Sequence, residues 1–201
     1  MTTFDFTKFG SQVADASLPG APREKPLPEG DFIVAVNEIT ANMSRVKQAY
    51  FVMKYVVVAS SNETVKPGMH FGNSWHPEKS PYPDATFADV KQAMKCASLL
   101  SPEEIQDPNV WAQTLEELCS EAQPGRGVRI AVTVRPKTSK STGKTFMKAS
   151  YSEIEGQLEQ PAIIAATRAW IEAGAAVGTT PPAFTAPETK PKQSILSRLS
   201  K

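Results

Sequence analysis

Read for its alternation of apolar and polar positions, the chain resolves into strands, then helices, then strands again. Residues 31–39, DFIVAVNEI, and 46–59, VKQAYFVMKYVVVA, are dense in β-branched and aromatic residues and predict two strands. Pro67-Gly68 opens a third, weaker one over 68–76, GMHFGNSWH. The period then lengthens. With Asp84 as N-cap, Phe87, Val90, Met94 and Ala97 fall on one helical face. A second helix follows Pro108, with Trp111, Leu115, Leu118 and Ala122 on its stripe. At 128–135 the period returns to two. Val128, Ile130, Val132 and Val134 alternate with Arg129, Ala131, Thr133 and Arg135, which predicts a strand with one buried and one wet face. The polar turn KTSKSTG leads to a fifth strand, KTFMKASYSEI, and Pro161 opens an Ala-rich helix over 160–174.

The ends follow other rules. Residues 18–30, LPGAPREKPLPEG, carry four prolines and exclude a regular element. Phe4, Phe6 and Phe9 precede them as an apolar segment that docks on the domain. From 175 onward the chain reads as an extended Pro/Ala-rich linker that ends in a basic amphipathic tail, SILSRLSK. The predicted organisation is a leader over 1–29, a domain over 30–157, a helix over 158–174, and a linker with tail over 175–201. Five short antiparallel strands with helices inserted between strands three and four suit an OB-type Greek-key barrel with flexible termini. An open sheet with helices on one face is the alternative. In the barrel, the second strand is long enough to bend and serve both halves.

Composition narrows the function. The 201 residues carry 22 Lys+Arg against 21 Asp+Glu, a net charge of +1, so a uniformly basic protein is excluded and any polyanion site must be a local cluster. No apolar run is long enough to span a membrane, the N-terminus lacks the order of a secretory signal, and Cys96 and Cys119 lack metal-ligand spacing. A cytoplasmic location is expected. Gly143-Lys144-Thr145 fails as a phosphate-binding loop, because Thr138 stands where its first glycine belongs and a strand follows in place of a helix. His70 and His76 have no ligand partners at metal-site spacing. No nucleophile elbow is present, and the carboxylate pairs Glu103-Glu104 and Glu116-Glu117 read as solvated helix faces, so no catalytic residue, metal or cofactor is expected.

The positive signal is a cluster. Seven basic residues and no acid lie between Gln123 and Ser150: Arg126, Arg129, Arg135, Lys137, Lys140, Lys144 and Lys148. If strands four and five pair as a hairpin with Met147, Ala149 and Tyr151 toward the core, then Arg129, Arg135, Phe146 and Lys148 share its outer surface. The loop adds Lys137, Lys140 and Lys144, with Ser139, Ser141 and Thr142 as hydroxyl donors. Mobile cations track phosphates, and flat rings stack bases. On the other side of the expected groove the first loop contributes Arg45 and Lys47. The second strand contributes Tyr50 and Lys54 on its outer face, and the third contributes Phe71 and Trp75. Each has a plainer reading: a solvated basic face, barrel filling for Tyr50 and Phe71, a barrel-end cap for Trp75.

The segments PEGDFIVAVNEI, QAYFVMKYVVV, the Pro-Gly turn, the helical stretch and GRGVRIAVTVRP together resemble the phage-encoded single-stranded-DNA-binding proteins with an OB-fold, over about residues 28–155. The resemblance implies a non-catalytic accessory protein of phage DNA replication or recombination that coats exposed single strands in the host cytoplasm. It implies replication or recombination proteins as partners, or self-association through the C-terminal tail. The bacterial members of this functional class end in an acidic stretch with a terminal Pro-Phe; here Lys190, Lys192, Arg198 and Lys201 make the tail basic. Two other functions remain open: a virion structural or assembly protein using the barrel for protein contacts, and a nuclease with scattered acids.

Overall fold

The computed structural model describes residues 25–43, 49–98, 107–139, 143–157 and 160–179. The elements are β1 (Gly30–Met43), β2 (Ala49–Ser60), β3 (His70–Trp75), a 3₁₀ turn (Pro77–Lys79), α1 (Pro83–Ser98), α2 (Pro108–Leu118), β4 (Arg129–Thr138), β5 (Thr145–Glu153) and α3 (Pro161–Glu172). All five strands join one antiparallel sheet in the order β3-β2-β1-β4-β5. The sheet is open, with β3 and β5 as its edges.

β1 is longer than its hydrophobic pattern indicates, and like β2 it pairs with a strand on each side. It pairs with β4 over Gly30–Ala35 and with β2 over Phe32–Met43. Its register against β2 slips between Ile33 and Val34 and again between Val36 and Glu38. Such bulges bend a strand and raise its twist. The curl carries the two edges toward each other: Asn73 Nδ2 on β3 donates to Tyr151 Oη on β5 at 2.9 Å, and the Trp75 and Tyr151 rings lie 5.9 Å apart.

Alternation places Val34, Val36, Met53, Tyr55, Val57, Ile130, Val132, Val134 and Tyr151 on the concave face, where α1 covers them with Val90, Ala93, Met94 and Ala97. Full burial of such side chains stabilises by roughly 1.5–3 kcal/mol each. α1 starts at Pro83, a position where a missing N–H costs nothing, so Asp84 lies inside the first turn and is not the cap. Phe87 departs from the expected stripe and is 50% exposed. α2 stops at Leu118, so Ala122 falls in a turn and is exposed.

The convex face is covered too. Ile171 of α3 and Ala175 pack on Ala35 and Val56. Close approach here requires glycine: Gly127 has φ +90°, and a Cβ on it would meet Ile164 O at 2.5 Å. Two buried glutamines extend the ladders with their side chains. Gln123 accepts from Ile39 N at 2.7 Å and donates to Ile39 O at 2.9 Å, and Gln157 does the same to Arg129 at 2.6 and 3.0 Å. Residues before β1 are docked as well: Leu27 is buried, and Lys25 O accepts from Gly72 N at 3.1 Å.

Candidate nucleic-acid interface

The expected β4–β5 hairpin forms, with Arg135 opposite Lys148 and Lys137 opposite Phe146. Its tip extends beyond the core. Phe146 is 49% exposed there and Met147 47%, so Met147 leaves the core face that Ala149 and Tyr151 keep. Facing the tip are the end of β3 and the start of α1. The three walls enclose a cleft of about 480 Å³ between the two unpaired sheet edges. Trp75, Lys137, Phe146 and Lys148, four of the residues singled out from the sequence, line it. His76, Tyr82, Thr86 and Asp89 also line it and were not anticipated as binding residues. Tyr82, between Pro81 and Pro83, had a readable signal as an aromatic held in a rigid loop. Asp89 had none.

Trp75 is 5% exposed and packs into the core, so it meets the cleft as part of its wall. Lys148 reaches across the strand edge to Asp89, 3.1 Å away. Thr86 and Ser80 join hydroxyls at 2.7 Å and Tyr82 N donates to Ser80 Oγ at 3.1 Å, which fixes the loop carrying Tyr82. Burial pushes the Tyr151 phenol well above its ordinary range, so at neutral pH it is a neutral hydroxyl that accepts from Asn73 below the cleft. Burial likewise pushes the Cys96 thiol up to about 11.

The other expected residues are distributed elsewhere. Arg129 is 2% exposed, not wet: α3 covers it, and its Nε and Nη2 donate to Thr167 Oγ1 at 3.1 and 2.7 Å. Phe71 is buried in the core. Arg135 is exposed on the convex side and donates to both carboxylate oxygens of Asp31, at 2.7 and 2.8 Å, where Thr133 also donates to Asp31. Those bonds hold the Asp31 carboxyl below its ordinary value. Lys54 lies on the outer face as expected and pairs with Glu38 at 2.7 Å. Tyr50 stacks on His76, ring centroids 5.1 Å apart at 20°, which carries an aromatic surface from the cleft wall to the outer face of β2. Lys144 is exposed at the foot of β5. Arg45, Lys47 and Lys140 lie outside the described residues, as do Phe4, Phe6, Phe9 and the basic tail.

Among the described residues, no group of three or more His, Cys, Asp or Glu could hold a metal ion. No helix among them is long and apolar enough to cross a membrane. Comparison of the chain with protein-family models and with curated proteins returns no match.

Proposed function

We propose that this chain is a non-catalytic single-stranded DNA-binding protein of phage replication or recombination, built on an OB-type Greek-key barrel and acting in the host cytoplasm. The observation that carries the reading is the cleft: an exposed Phe146 between Lys137 and Lys148, facing Tyr82 across the gap between two sheet edges. Cations there neutralise backbone phosphates, and each base stacked on a ring contributes roughly 1–3 kcal/mol with little dependence on its identity. The cleft is an open groove that admits a flexible single strand, and Tyr50 and His76 extend its aromatic wall outward. The barrel reading draws on strand order: β1 pairs with both β2 and β4, the helices α1 and α2 separate β3 from β4, and Tyr151 bridges the remaining opening. Partly open five-stranded barrels of this kind bind oligonucleotides through the loops that flank the groove.

Fluorescence anisotropy of a labelled oligo-dT of about 30 nucleotides, at two salt concentrations and with duplex as control, tests it. Tight binding to the single strand that weakens with salt, by a log–log slope of about −0.7 per phosphate neutralised, is expected. Absence of binding at low salt, to oligo-dT and to a mixed-sequence oligomer alike, overturns the reading. A second reading, a virion structural or assembly protein, draws on Phe87 and Met43, which are exposed outside the cleft lining. A protein partner captured by the wild type and lost in Phe87→Ser, with no oligonucleotide affinity, would favour it.

A further inference from the structure

The cleft contains a carboxylate that a phosphate-tracking groove does not need. Asp89 lines the cleft with Lys137 and Lys148, and its negative charge offsets part of theirs. It is not required to hold α1 on the sheet either. Farther along the helix, Gln92 Nε2 donates to Tyr151 O at 3.1 Å and Lys95 pairs with Glu153 at 3.3 Å, above the buried Val90, Ala93, Met94 and Ala97. Asp89, Gln92 and Lys95 are spaced by three residues, so they form one row facing β5. The row keeps two tethers without its first member.

The chemistry of that first member fits a base edge. Its ion pair with Lys148 is about a third exposed on both sides, the class of pair that exchanges readily. A phosphate oxygen reaching Lys148 replaces Asp89 as its anion. The two carboxylate oxygens, acceptors only, are then free to bond a base held in the cleft that Asp89 lines with Phe146 and Tyr82. Guanine presents two adjacent donors on its pairing edge, the ring N1–H and the amino N2–H. Cytosine and adenine present one amino donor beside an acceptor nitrogen. Thymine presents one N–H between two carbonyls, which a carboxylate repels. Single-stranded bases are commonly read by hydrogen bonds on this edge.

Resting on the single-stranded DNA reading above, we propose that Asp89 is a base-selecting residue, exchanging Lys148 for a stacked guanine, so that the cleft prefers guanine and disfavours thymine. Anisotropy with labelled oligo-dT carrying isolated dG, dC or dA residues, or none, tests this; isolated guanines avoid four-stranded structures. The dG oligomer is expected to bind about fivefold tighter or more than dT alone, the discrimination of one good paired contact. Asp89→Asn, which places an amide donor against the guanine donors, removes that ratio. Lys148→Gln weakens every oligomer and leaves the ratio in place. Equal affinity for all oligomers, or a preference that survives Asp89→Asn, overturns the proposal while leaving single-strand binding intact. Failure of every oligomer to bind overturns the single-strand reading, and this proposal with it.

Discussion

The two ends of the β4–β5 hairpin follow one alternation and meet opposite surroundings. At the base, Ile130, Val132 and Tyr151 are buried beneath α1, and Arg129 on the other face is buried beneath α3. At the tip, Lys137, Phe146 and Met147 stand across an open cleft from the start of α1 and are exposed. Arg129 and Arg135 sit on the same side of one strand, six residues apart, yet the first is bonded to Thr167 in the interior and the second to Asp31 at the surface. Alternation decides which residues share a face. The length of the neighbouring helices decides whether that face is wet. A hairpin that outruns its cover keeps a rigid base and offers an open tip, which suits a binding edge: the base fixes the geometry, and the tip contributes little to stability and is free to bind.

That contrast can be broken most severely at the base. Tyr151→Ala removes a buried ring that packs on Trp75 and bonds Asn73, and a loss of about 3–5 kcal/mol in urea denaturation is expected. Arg129→Ala should cost about 1.5–3 kcal/mol, the worth of charge-assisted bonds, without changing oligonucleotide affinity per folded molecule. The tip should behave in the opposite sense. Phe146→Ala should weaken single-strand binding by roughly 1–3 kcal/mol while shifting stability by less than about 0.5 kcal/mol. If it unfolds the protein instead, base and tip are not the separate regions described. Replacing Lys137, Lys140 and Lys144 together by Ala should flatten the salt slope by about 0.7 for each phosphate that is no longer neutralised, uniformly across sequences.

The smallest effect is expected on the convex side. Arg135 and Thr133 lower the Asp31 carboxyl below its unfolded value of about 3.9, so its contribution is present above that value and fades as pH falls through the lowered folded one. Denaturation midpoints measured from pH 6 to pH 3 should show a small acid-side loss in the wild type that Asp31→Asn lacks. An equal loss in both would assign the acid sensitivity elsewhere.

Most of the element order was legible because burial on one face writes itself into spacing. Val128 to Val134 announced β4, Val90, Met94 and Ala97 announced α1, and the strand-rich 46–59 announced β2. That Arg135, Phe146 and Lys148 share one face of the hairpin was legible from alternation, whereas Lys137, expected in the loop, pairs with Phe146 as part of β4. The candidate site was legible only in part. Phe71 and Trp75 have the composition of stacking residues, but a curled sheet turns that face inward. Phe87 has the spacing of a core residue, yet its side chain is half exposed on α1.

By itself, then, the sequence determined the periods, and with them the order of strands and helices and the local concentration of positive charge. Those properties depend on neighbours a few positions apart. Tertiary structure alone decided which wet faces became dry: α3 folding back over Arg129, the bulges of β1 drawing β3 and β5 together, and Asp89 arriving opposite Lys148 from 59 positions earlier in the chain. Each of these depends on where a distant element comes to rest, which long-range packing sets and which leaves no periodic trace in the chain.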